Sequence, residues 1–277
     1  MSSEPNVSAR YSIPDSRFLI ALADIKEGLA NWRAWSVLAL NDVRQRYRRS
    51  IIGQFWNTIS MALTIAGVGV VFGVIMGEPF ADYLAFFGIG LIVWTLIATL
   101  ITDLSAAFIE SALYLKSYPG PRSVVLFRVI LRNLLISAHN FLLVPVLWLL
   151  ASPPVNAALL LFLPGLLMCV FMMIWVGIVL GTLSARFRDV PPIVQSVTQL
   201  LFFLTPILYR PEQIRDRLPL VTHFNPFASL VEIMRAPLLG QVPELHHYLL
   251  VGVVTLVVMC VAVPFYSRFR ARIAYWT

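Results

Sequence analysis

Uncharged apolar runs of roughly 20 residues recur along this chain, separated by short charged stretches, and this spacing restricts its fold more than any motif does. A helix needs about 20 apolar residues to cross the hydrocarbon core of a bilayer. Six segments qualify as candidate spans: 57–77, 83–102, 131–150, 156–182, 193–209 and 247–267, the fifth being the shortest. Apolar residues make up 59% of the 277 and charged residues 13%, a balance that makes lipid the solvent for most of the chain. The fold class predicted is an all-α integral membrane protein with six transmembrane helices. Pro145, Pro164 and Pro206 fall inside spans, where neighbouring helices can satisfy the carbonyls that proline frees.

Lys and Arg then orient the spans. Eight precede span one, four lie between Asp103 and Arg132, two follow span four and three sit in the tail, so that side carries seventeen. The other side carries four, all in 210–246. The positive-inside rule places both termini in the cytoplasm. The net charge of +7 is explained by this topology and by anionic headgroups, and no basic run on a soluble domain points to nucleic acid. Between Phe18 and Ala23 there is only a short apolar patch, so no signal peptide is expected. Cys169 and Cys260 lie within apolar runs, which suggests packing rather than a disulfide or metal site.

Three domains are expected: a cytoplasmic arm over 1–53, a six-span body over 54–267 and a cytoplasmic tail over 268–277. Within the arm, Asn31–Arg49 gathers Trp32, Trp35, Leu38, Ala39, Leu40, Val43 and Tyr47 on one helical face, with Arg33, Arg44 and Arg48 opposite. Together with Arg46 and Arg49, these predict an amphipathic interface helix, either a headgroup anchor or a collar that also meets a cytosolic partner. Asp42 and Arg46, spaced i, i+4, are expected to pair. Between spans two and three, residues Glu110–Arg122 form a short helical pattern that ends at Pro119-Gly120-Pro121. Such a loop is either a plain connection or a rigid element for transmitting force. The second inner loop, Arg186-Phe-Arg-Asp189, runs into Pro191-Pro192, expected to stop it.

The outer segment 210–246 has apolar pieces too short to span and too apolar for a solvated loop. Asn225-Pro226 gives an N-cap and a first-turn proline, and Arg235-Ala-Pro-Leu-Leu-Gly240 an end. A first piece over 212–221 would complete a re-entrant helical hairpin between the last two spans, the alternative being a peripheral amphipathic loop. Gly69, Gly73 and Gly77, and likewise Gly177 and Gly181, are spaced for close helix packing. Aromatic residues are frequent in and near the spans, among them Trp94, Phe202, Phe203 and Tyr209. They suit an interfacial belt or the core, and some can stack on sugar rings.

The best mid-span ionisable candidate is His139, which supports ion coupling poorly. No phosphate-binding loop surrounds Lys26 or Lys116, so an ATPase must be another polypeptide. No metal-binding or catalytic motif is evident, and the chain is expected not to be an enzyme, although a transferase acting on a polyprenyl-linked sugar with scattered polar residues stays open.

Several motifs, spread in order over most of the chain, carry a resemblance. They are Arg46-Tyr-Arg-Arg-Ser-Ile-Ile-Gly-Gln-Phe-Trp56, Gly90-Leu-Ile-Val-Trp94, Arg186-Phe-Arg-Asp189, Thr205-Pro-Ile-Leu-Tyr209 and Asn225-Pro226 through Gly240. With them the chain resembles the membrane subunits of type 2 ABC exporters of lipid-linked polysaccharides, notably O-antigen, with relatives for teichoic acid and capsule. The resemblance implies a homodimer in the bacterial inner membrane, bound to two cytosolic ATPase subunits that hold ATP and Mg, with no cofactor on this chain. It implies coupling to the ATPase through Lys116, Tyr118, Pro119 and Arg122, with Arg186, Arg188 and Asp189 as a second contact. It also places a channel between two copies, lined partly by spans one and five, with Trp94, Phe202, Phe203, Tyr209, Asn225, Glu232 and Arg235 as channel or exit candidates. An exporter of another polymer, a small lipid or a drug would share every topological feature.

Overall fold

The structure is a computed structural model that describes residues 17–48, 52–53, 55–214 and 224–277. Among these residues there are helices and no strand. Two short helices, α1 (Arg17–Ala30) and α2 (Trp32–Tyr47), precede α3 (Phe55–Met76) and α4 (Phe80–Glu110). Then follow α5 (Ala112–Ser117), α6 (Val124–Phe141), α7 (Leu143–Ala151), a 3-10 turn (Ala157–Leu161) and α8 (Phe162–Arg186). After α9 (Val190–Leu204) and the single turn α10 (Pro211–Ile214) come α11 (Pro226–Leu238) and α12 (Leu245–Trp276).

By length and composition, five helical stretches among the described residues can cross a membrane: α3, α4, Val124–Ala151, Ala157–Arg186 and α12. Where the fifth span is expected, α9 has 15 residues, about 22 Å at 1.5 Å per residue and shorter than the hydrocarbon core. Its limits differ from 193–209 because proline acts at both ends. Pro191 and Pro192 occupy its first turn, where a missing N–H costs nothing, so they start the helix instead of stopping the loop before it. Pro206 then prevents its continuation. In α4 the opposite occurs, as the helix runs on to Glu110 and carries Asp103 with it.

The core forms around α4, from whose flank Leu96, Ile97, Leu100 and Leu104 are fully buried. α8 can lie close against it because Gly177 and Gly181 face Leu104 and Phe108; a Cβ on Gly177 would come within 2.9 Å of Leu104. Gly69 receives Leu84 at the α3–α4 crossing in the same way. At the far end of α3 the role changes: Gly77 has φ +67°, the left-handed conformation that ends a helix. Pro145 lies just after the break between α6 and α7, at Leu142. In α11, Pro237 leaves the carbonyl of Ile233 without its helical partner, and Gly165 of α8 lies against that oxygen.

α1 is not indicated by the apolar pattern. Its buried stripe is Ala21, Asp24 and Gly28, two small residues and a carboxylate. α2 agrees with the predicted interface helix in place and length, but it packs on α6: Ala39 is buried, and Trp35 meets Phe127 at 6.2 Å between ring centroids. Asp42 therefore does not pair with Arg46. It takes Arg128 of α6 in a two-pronged ion pair, at 2.7 Å from Nε, because the helix turns Asp42 toward the protein. Both cysteines are free, Cys169 buried and Cys260 exposed.

Candidate functional site

Polar side chains on three long apolar helices converge on one another. Asn57, Ser60 and Thr64 of α3, Thr95, Thr99 and Asp103 of α4, and Asn133, Ser137 and Asn140 of α6 line an open cavity of about 490 Å³. Arg46 and Tyr47 of α2 close its basic end, where the Asn57 amide donates to the Tyr47 hydroxyl at 2.8 Å. Helical periodicity produces the lining, since Ser60 and Thr64, like Thr95, Thr99 and Asp103, fall four residues apart and share a face. Thr95 and Thr99 donate their hydroxyl protons to the carbonyls of Leu91 and Thr95 at 2.8 Å. Their oxygens are thus left as acceptors, while the amides of Asn57 and Asn140 supply donors and that of Asn133 is spent on Asp103 and the Val129 carbonyl. Asp103 is paired with Arg132 at 2.8 Å and takes the Asn133 amide at 3.0 Å, so the one carboxylate in the lining is compensated.

A second open cavity of about 490 Å³ lies against α9. It shares Leu91 and Thr99 with the first and adds Thr102, Gln195, Thr198 and Gln199 to an aromatic wall of Trp94, Phe202 and Phe203. Trp94 stands 6.1 Å from Phe202 and 6.3 Å from Phe227, and Phe202 is 5.3 Å from Phe203. Three of the predicted channel residues are thereby brought together. The two cavities form a trough along α4, with α3 on one side and α9 on the other. Its hydroxyl and amide members in α3, α4 and α6 are legible only as i, i+4 polar pairs within apolar runs.

At the end away from α1, the unwound chain after α9 presents carbonyls that other elements satisfy. Asn225 donates to Leu204 at 3.0 Å while its oxygen caps α11, Arg235 donates to Pro206 at 2.7 Å, and Tyr83 donates to Leu208 at 2.8 Å. Arg235 is 1% exposed, pairs with Glu232 and lies over Phe86, 4.0 Å from the ring centroid. Arg210 covers the same ring at 4.7 Å and takes Glu78 at 2.7 Å; this hydrogen bond raises Arg210 above the ordinary guanidinium range. Tyr209 donates back to Phe203 at 3.2 Å. Asn225, Glu232, Arg235 and Tyr209 therefore form one cap over the trough. Of the expected hairpin, α11 is seen; 215–221 of the first piece lie outside the described residues.

At the α1 end, Lys116, Tyr118 and Pro119 are exposed at and beyond the end of α5, and Tyr118 stacks on Tyr114 at 5.4 Å. Arg122 is half-buried, and its pKa is lowered by burial and then by the nearby Arg270. Arg186, Arg188 and Asp189 are exposed at the α8–α9 turn. Arg186 lies over Phe187 and Trp276, and Arg188 reaches the Thr277 carbonyl at 3.4 Å. Both loops thus emerge at the same end, each touching α12. Trp32 is exposed beside Arg33, Arg48 caps α2, and Arg49 lies outside the described residues. His139 makes a helical contact, Nδ1 to the Leu135 carbonyl at 2.9 Å.

The chain is 24% identical to an O-antigen export system permease protein RfbA of Klebsiella pneumoniae over 253 residues, covering 86% of this chain and 92% of the relative. A second protein of that name from the same organism is 26% identical over 210 residues, covering 70% and 76%. One from Myxococcus xanthus is 23% identical over 240 residues, covering 86% and 92%. Residues 33–239, which contain the trough, its cap and both loops, match the ABC-2 type transporter family. The chain belongs to that family and is a membrane-spanning permease of the ABC exporter kind.

Proposed function

We propose that two copies of this chain form the channel through which an ATP-driven exporter moves a lipid-linked, O-antigen-type polysaccharide across the bacterial inner membrane. The trough carries this reading. A row of hydroxyl and amide groups facing lipid is costly, because hydrocarbon offers no hydrogen-bond partner. A second copy closing over α3 and α9 would convert the open trough into a water-filled conduit. Sugar hydroxyls both donate and accept, which suits a lining that mixes asparagine amides with threonine acceptors. The aromatic wall offers faces on which apolar sugar faces can slide without fixed register.

On this reading α9, with the chain that follows it, is the sixth crossing, and both termini lie in the cytoplasm. Two cytosolic ATPase subunits, holding ATP and Mg, would engage the loops at 116–122 and 186–189. Their movement would shift the inner ends of the helices and open the path by favouring a second arrangement. In cells lacking this chain, undecaprenyl-linked glycan should accumulate in the inner leaflet and surface polysaccharide should be lost. Normal surface glycan in such cells would refute the function, and sugar transfer by the isolated chain would replace it with an enzymatic one.

A further inference from the structure

Asp24 is 2% exposed, yet it lies on a short helix near the start of the described chain. A buried carboxylate is retained at such cost only where its partners are complete. Its partners come from two distant segments. Oδ2 accepts the Arg122 backbone N–H at 3.0 Å and Arg270 Nε at 2.6 Å. Oδ1 accepts the Ser123 backbone N–H at 3.1 Å and the Tyr266 hydroxyl at 2.8 Å. A carboxylate has about four lone-pair sites, and all four are filled.

Arg122 and Ser123 adjoin the start of α6. Ser123 occupies its N-cap position but makes no side-chain cap. Its hydroxyl instead donates to the Asp24 carbonyl at 2.7 Å. The cap is supplied in trans by Asp24, whose negative charge also meets the positive end of the α6 dipole. Gly28, one turn further along α1, allows this approach: a Cβ there would stand 2.0 Å from Ser123 Oγ. The segment held is the C-terminal root of the loop 116–122. The other half of the anchor, Tyr266 and Arg270, belongs to α12, whose end carries the Trp276 that Arg186 covers.

We infer that Asp24 is the positioning residue of the 116–122 loop: it locks the root of that loop to α12, so that force applied to the loop moves α6 and α12 together instead of being lost in the loop. The inference rests on the reading of this loop as the ATPase contact. Neither of the two cavities along α4 involves Asp24.

Asp24→Asn keeps the shape but places an amide donor opposite donors. With its ATPase, this variant should insert and co-purify normally while exporting at least fivefold less glycan. A spin label at Leu113→Cys, in a chain with Cys169→Ala and Cys260→Ser, should report a more mobile α5. An ideal Cβ at 28 lies 3.1 Å from that of Ser123, within a few tenths of an ångström of the roughly 3.5–4.5 Å seen in disulfides. Gly28→Cys with Ser123→Cys, oxidised in the Asp24→Asn background, ties the loop root to α1, which itself packs along α12, and should therefore restore export, and reduction should abolish the gain. Wild-type export by Asp24→Asn, or a deficit that persists once the cross-link has formed, would overturn the inference. Should Asp24→Asn fail to accumulate, Tyr266→Phe removes one bond from the same carboxylate and should give a smaller deficit of the same kind; export unchanged in that variant would overturn it equally. Failure of the functional reading is separate, since the unmodified chain with its ATPase would then export no glycan.

Discussion

Replacing Arg235 by methionine should loosen the cap over the trough by about 3–5 kcal/mol, the usual cost of removing one member of a buried ion pair. Three losses contribute. The Pro206 carbonyl loses its donor at 2.7 Å, worth about 1–3 kcal/mol for a buried group. The guanidinium no longer lies over Phe86, worth about 0.5–2 kcal/mol. Glu232 is left with its charge uncompensated, its side chain only 21% exposed. Methionine fills a similar volume, so little of the effect comes from a cavity. At roughly 2–4 °C per kcal/mol for a chain of this size, thermal unfolding of the purified protein should fall by about 6–20 °C. Adding Glu232→Gln should recover part of the loss, because the unpaired carboxylate is removed with its partner. Two variants whose losses simply add, or an Arg235→Met protein with an unchanged transition, would refute the account of the cap.

Two further outcomes follow from the packing and the loops. Gly165→Ala should destabilise the protein by about 1–3 kcal/mol, the range for overpacking, because its Cβ would lie 2.6 Å from the Ile233 backbone carbonyl; a thermal transition equal to that of the unmodified protein would contradict it. Reversing Arg186 and Arg188 to Glu should reduce export or ATPase stimulation severalfold while membrane insertion, followed by fractionation, stays normal; unchanged export and ATP hydrolysis would remove the second loop from the coupling contact.

The sequence made the spans legible because apolar runs report their solvent directly. It also revealed α11, since Asn225-Pro226 and Gly240 act locally: Asn225 caps the helix and Gly240 has φ +74°. Arg235 and Glu232 are channel or exit candidates on the resemblance alone; their pairing with each other and the bond from Arg235 to Pro206 are visible only in the fold. What remained hidden depends on distant partners. Asp42 looks like the local mate of Arg46 until α6 supplies Arg128, 86 residues away. α1 leaves no sequence signal because its buried stripe has no apolar period, and Asp24 leaves none because its partners begin 98 residues further on. The trough was concealed for a related reason: single threonines and serines are ordinary in transmembrane helices, and only their alignment across α3, α4 and α6 makes a polar path.

That path can be tested by water accessibility. In a chain lacking its native cysteines, Ser60→Cys and Thr99→Cys place thiols in the trough, and Leu256→Cys places one on the exposed apolar face of α12. A charged, membrane-impermeant thiol reagent, applied to inside-out vesicles containing the assembled exporter, should label positions 60 and 99 at least tenfold faster than 256. Labelling at 60 and 99 should slow when the glycan is being made and not when its synthesis is blocked. Equally slow labelling at all three positions, or rates at 60 and 99 indifferent to the glycan, would contradict a polysaccharide conduit through the trough.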